Sequence, residues 1–95
     1  PPAGREPRLT VRPNPFNPST TIGYRLAEAG HVVLEVYDAG GARIALLVDE
    51  RQAGGDHKAV WDGKNDAGAT VGSGVYFCRL ATGKETLTRK MVLLK

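Results

Sequence analysis

The chain has 95 residues and a formal net charge of +3, from 13 Lys plus Arg against 10 Asp plus Glu; that length holds one domain and leaves no room for a second. Hydrophobic residues at 41% exclude a disordered tail, and a single cysteine excludes an internal disulfide and a cysteine-cluster zinc or iron–sulfur site. Arg5, Arg8 and Arg12 against Glu6 carry most of the excess charge, so the body is close to neutral, no basic run is interleaved with aromatics, and nucleic acid is not an expected partner.

Residues 1–8 hold three prolines and little to bury, and read as a linker or arm. An arm of this kind is ordered only against a surface, its own domain's or a neighbour's. With no initiator methionine and no signal peptide, a processed or excised product is expected. Residues 9–95 then read as one domain. Leu9-Thr10-Val11 starts a strand that Pro13 stops. Pro13, Pro15 and Pro18 at close spacing forbid helix and withhold ladder donors, so Pro13-Asn14-Pro15-Phe16-Asn17-Pro18-Ser19 is a rigid turn whose one large apolar group, Phe16, plugs into the core.

Thr21 to Leu26 alternates, with Ile22, Tyr24 and Leu26 on one face. His31 to Tyr37 follows, with Val32, Leu34 and Val36 inward and Glu35 marking the wet face. Asp38-Ala39-Gly40-Gly41 is a hairpin signal. Ala42 to Val48 is a strand, Asp49 to Asp56 a polar loop, and His57 to Trp61 a short strand. Asp62 to Gly74 is a long Gly- and Asp/Asn-rich connection. Val75 to Leu80 places Tyr76, Cys78 and Leu80 on one face, and Glu85 to Leu94 is the last strand. In that strand either Met91 and Leu93 or Val92 and Leu94 face the core, because a one-residue slip exchanges the faces. Seven short strands with turns at nearly regular spacing, and no helical periodicity, predict an all-β, seven-stranded antiparallel immunoglobulin-like β-sandwich, with a small closed barrel as the alternative. No apolar stretch reaches the ~20 residues of a transmembrane helix, so insertion into a membrane is not expected.

Several segments together resemble a known family. Pro13-Asn14-Pro15-Phe16-Asn17-Pro18-Ser19-Thr20-Thr21-Ile22, Val36-Tyr37-Asp38 with Gly41, Trp61-Asp62-Gly63 with Asp66 and Gly68, Gly74-Val75-Tyr76, and Arg89-Lys90-Met91-Val92-Leu93-Leu94-Lys95 occur in order. They are similar to the C-terminal immunoglobulin-like domain found in the flagellar hook-capping protein and in the sorting domain that ends many cargo proteins of the type IX secretion system. The resemblance covers roughly Leu9 to Lys95. It implies a module at the end of a secreted or cell-surface bacterial protein, exported through the periplasm. Its partners would be the secretion machinery, upstream domains of the same protein, or copies of itself. Residues 89–95 would form the sorting strand.

Candidate chemistry is weighed against simpler roles. Asp62, Asn65 and Asp66 invite a calcium site, since calcium takes several oxygens from closely spaced carboxylates. Lys64, however, occupies the middle ligand position and no downstream Glu closes the site, so turn capping is the expected role and no metal or cofactor is expected. His31 and His57 lack a partnered nucleophile, and Ser19 and Ser73 do not sit in a nucleophile elbow, so no catalytic residue is expected and the chain is not read as an enzyme. Cys78 falls on the buried face and is expected to be inert. Trp61 is expected at the centre of the core rather than on a sugar-stacking platform. Tyr37 and Phe77 fall on the outward register and mark a contact patch. The expected function is a non-catalytic C-terminal sorting or attachment domain. The alternative is a structural subunit that assembles into a filament or oligomer by strand addition, with Leu9 to Val11 or the whole N-terminal arm completing a neighbour's sheet.

Overall fold

The computed structural model describes residues 8–95, so the linker or arm expected over residues 1–8 lies outside the described residues except for Arg8. Seven strands are present: β1 Leu9–Arg12, β2 Thr20–Leu26, β3 Gly30–Asp38, β4 Arg43–Gln52, β5 Gly55–Trp61, β6 Gly74–Ala81 and β7 Thr86–Leu93. They form two antiparallel sheets in the orders β1-β2-β5 and β4-β3-β6-β7. The architecture is the expected immunoglobulin-like sandwich rather than a closed barrel.

Alternation places the core between the sheets. Ile22, Tyr24 and Leu26 of β2 meet Val32, Leu34 and Val36 of β3 and Tyr76, Cys78 and Leu80 of β6, all buried. Phe16 and Trp61 are buried with them. The last strand turns Met91 and Leu93 inward, both fully buried, and leaves Leu94 exposed. Asp38 closes the β3–β4 hairpin as expected: its carboxylate accepts from the N–H groups of Gly40 and Ala42 at 2.9 Å each.

Two expectations need correction. β4 continues through Asp49–Gln52, where a polar loop was expected, because those residues pair with Gly30–Val33 at the sheet's edge. β5 likewise begins at Gly55, where the loop was expected to run to Asp56. Leu9–Val11 is an edge strand of its own chain. It pairs with Ile22–Tyr24 in the smaller sheet, and Leu9 is buried in the core. At this end of the sandwich Arg8 and Glu85 form an ion pair between the start of β1 and the turn before β7.

Candidate functional site: the clamp on the last strand

The motif residues, scattered over the sequence, converge at the end of the sandwich opposite Arg8. β7 is an edge strand, and an open edge exposes a row of unpaired peptide groups. Here the segment after β1 covers it. Phe16 N–H donates to the Val92 carbonyl and Leu94 N–H donates to the Phe16 carbonyl, both at 2.9 Å, so Phe16 pairs with β7 in parallel through its bridge to Leu93.

Asn14 extends the same seal by other means. Pro13 and Pro15 have no N–H to offer a ladder. A side-chain amide carries the same donor and acceptor as a peptide group, and Asn14 uses both: Nδ2 donates to the Lys90 carbonyl, and Oδ1 accepts from Val92 N–H, each at 2.9 Å. Thr20 Oγ1 holds the turn closed by donating to the Pro13 carbonyl at 2.7 Å. Further along the edge Arg89 Nε donates to the Leu9 carbonyl at 2.9 Å, and Lys95 N–H donates to Ser73 Oγ at 3.0 Å.

Beneath the seal lies an aromatic cluster. Trp61 is the central ring, with Phe16 edge-on at 5.6 Å and Tyr76 edge-on at 5.2 Å. Its Nε1–H donates to the Lys64 carbonyl at 2.9 Å, and the Tyr76 hydroxyl donates to the Gly72 carbonyl at 2.6 Å, so each polar tip is satisfied as burial requires. Gly63 has φ +77, and its Cα lies so near the Pro18 carbonyl that an added Cβ would stand 3.1 Å from that oxygen. Gly74 begins β6 opposite Leu93. The sequence marked Phe16, Trp61 and Tyr76 as core groups. It gave no sign that Asn14 acts as a strand residue, because a side chain standing in for a peptide group leaves no periodic trace.

The 62–71 loop is tied down oxygen by oxygen. Asp62 Oδ1 accepts from Lys64 N–H at 3.1 Å. Asn65 Oδ1 accepts from Ala67 and Ala69 N–H at 3.0 Å each. Asp66 Oδ1 accepts from Leu46 N–H at 2.8 Å, joining the loop to β4. The three side chains thus point to three separate backbone targets. His31 lies beside Asp49 at 2.5 Å, and His57 stacks on Tyr24 with its Nε2 2.7 Å from the Ala53 carbonyl. Among the described residues, neither histidine is hydrogen-bonded to a serine or to the thiol.

Cys78 is fully buried, and desolvation pushes its thiol up to about 11 from 9.0. A thiol whose folded pKa is raised favours the fold while it stays protonated. That contribution is complete below pH 9 and is lost as pH rises from 9 toward 11. Burial also raises Tyr24, in the same direction. Urea titrations at pH 8 and pH 10.5 are expected to show lower stability at the higher pH, with Cys78 contributing on the order of 1–2 kcal/mol. Cys78→Ala is expected to show a shallower fall. Native protein at pH 8 is expected to resist thiol reagents that react once urea is added.

Known proteins share this architecture. The PorU chain of Porphyromonas gingivalis, solved as a latent dimer, superposes with a TM-score of 0.71 at 22% identity, over 90% of this chain and 9% of its own. PorZ of the same organism, an essential bacterial surface component of the type IX secretion system, matches at 0.62 and 21%, over 92% of this chain and 11% of its own. FlgD of Xanthomonas campestris, tied to the hook capping essential for flagellar assembly, matches at 0.63 and 21%, over 90% of this chain and 62% of its own. The chain therefore spans about a tenth of the PorU and PorZ chains. No curated protein matches the sequence. The family model described as the FlgD Ig-like domain matches residues 16–85, a stretch that runs from Phe16 of the clamp through Trp61, Gly63 and Tyr76, and the chain belongs to that family.

Proposed function

We propose that this domain is a non-catalytic C-terminal module of a secreted or cell-surface bacterial protein, and that it serves as a sorting or attachment domain whose recognised feature is the last strand. The observation that carries this reading is the clamp. Asn14 and Phe16 bond to the last strand directly, Gly63 lies beside Leu93 of that strand, and Trp61 backs Phe16 from beneath. The clamp fixes the register of that strand. Met91 and Leu93 are consumed by the core, while Leu94 and Lys95 project at the end of the sandwich. A receptor would read those projecting groups on a rigid support. The PorU and PorZ folds support the reading by likeness of architecture.

Deleting Arg89–Lys95 removes Met91 and Leu93 and so tests folding as much as export. The informative variant is Leu94→Glu with Lys95→Glu in the full-length precursor. Both side chains are exposed, so the isolated domain is expected to keep its Tm while the precursor accumulates in the periplasm. Normal export of that variant, with its Tm unchanged, would remove the terminal residues from the recognised feature.

A further inference from the structure

The outward face of the larger sheet carries an aromatic and basic patch that the clamp does not use. Tyr37 of β3 lies opposite Phe77 of β6, and Phe77 opposite Lys90 of β7. The next rows on either side are Glu35–Arg79–Thr88 and Val75–Val92. Tyr37, Phe77, Val75 and Val92 are each half-buried, while Arg79 and Lys90 are exposed. The residues between them along the strands, Val36, Tyr76, Cys78 and Met91, face the core.

The charges on this face are unbalanced. Glu35, opposite Arg79, is already engaged: Tyr37 donates its hydroxyl to Oε1 at 2.9 Å and Arg43 donates to Oε2 at 3.3 Å, with the Glu35 side chain 15% exposed. Strands β6 and β7 contain no Asp or Glu. Among the described residues, neither Arg79 nor Lys90 has a carboxylate within ion-pair distance. Arg79 is instead held with its guanidinium carbon 5.9 Å from the centre of the Tyr37 ring.

A lone exposed lysine on a sheet is ordinarily only solvated. This arrangement differs in two respects. The Arg79 fork is stacked on a ring, which reduces the freedom it would lose on binding and leaves its planar donors available to a carboxylate. Half-exposed aromatic and aliphatic area beside it supplies a non-polar contribution that a purely charged surface lacks.

We propose that this face docks an acidic polypeptide segment of a partner protein, one that presents carboxylates beside apolar side chains. Arg79 takes one carboxylate through two N–H donors and Lys90 a second. Tyr37, Phe77, Val75 and Val92 receive the apolar groups between them. A second copy of this chain, docked through the same face about a two-fold axis, would set one cationic patch against another and is disfavoured.

The test is an NMR titration of the isotope-labelled domain with a short synthetic peptide alternating Glu with Leu and Tyr. A version with Lys in place of Glu, heparin, and phosphatidylglycerol vesicles are run alongside. The acidic peptide is expected to give saturable amide shifts confined to residues 35–37, 75–79 and 90–92, weakened by salt. Arg79→Glu with Lys90→Glu is expected to lower that affinity roughly tenfold or more in a domain that still folds, with a somewhat lower Tm because the new carboxylate at position 79 faces Glu35 across the strands. Lys58→Glu with Lys64→Glu, equal in charge change but off this face, is expected to leave it intact. Three outcomes would overturn the proposal: no shifts at the face, equal loss in both double variants, or a stronger response to heparin or vesicles than to the acidic peptide.

Discussion

Trp61→Ala is expected to remove about 3–5 kcal/mol of stability. A domain of this size holds only about 5–15 kcal/mol in all, so the variant should sit near the edge of folding. Three effects act together. The largest fully buried side chain is lost and its space refills only in part. Edge-on contacts to Phe16 at 5.6 Å and Tyr76 at 5.2 Å disappear, each worth roughly 0.5–1.5 kcal/mol beyond area. The Lys64 carbonyl loses its donor. Trp61 is the only tryptophan, so urea unfolding must be followed by far-UV circular dichroism rather than fluorescence. Phe77→Ala, at a half-buried position on the outward face, is the matched control and is expected to cost distinctly less. Equal losses in the two variants would show that the ring's place in the cluster contributes nothing special.

Period-two alternation made β2, β3 and β6 legible because each has one wet face and one dry face. In β4, read as a strand from Ala42 to Val48, it supplied neither the faces nor the far end, for a physical reason. Ile44-Ala45-Leu46-Leu47-Val48 has no alternation to read, and the register explains why. Leu34 pairs with Val48 and Glu35 with Leu46, which skips Leu47. Val36 pairs with Ala45 and Tyr37 with Arg43, which skips Ile44. Two bulges turn those skipped residues against the core, where both pack. Asp49–Gln52 then extends the strand with side chains that an edge strand tolerates and a hydrophobicity pattern reads as loop.

The last strand was ambiguous because each of its faces carries a charge, Arg89 on one and Lys90 on the other. Arg89 lies on the inward register opposite Cys78 and escapes burial by reaching over the edge to the Leu9 carbonyl. Of the candidate site, the sequence located the motif residues but not their meeting. Contacts between Asn14 and β7, or Gly63 and Pro18, join positions whose separation carries no periodic signal.

Gly63→Ala tests whether that meeting matters, and it is expected to cost about 2–3 kcal/mol. Part of the loss is the left-handed backbone at φ +77, which disfavours any residue with a Cβ. The rest comes from the Pro18 carbonyl 3.1 Å from the new methyl. That carbonyl cannot retreat cheaply. It belongs to the turn that Thr20 closes onto Pro13 and that Phe16 and Asn14 fasten to β7. Gly68→Ala separates the two causes, since Gly68 has φ +85 but open space around it, and should lose only about 1 kcal/mol. Hydrogen exchange locates the damage. Val92 and Leu94 N–H donate to Asn14 Oδ1 and the Phe16 carbonyl, so in Gly63→Ala they are expected to exchange faster than global destabilisation alone requires, while amides in the middle of β3 follow the global value. If Gly63→Ala loses no more than Gly68→Ala, or if Val92 and Leu94 keep pace with β3, then the turn does not hold the last strand in place, and the rigid support assigned to Leu94 and Lys95 goes with it.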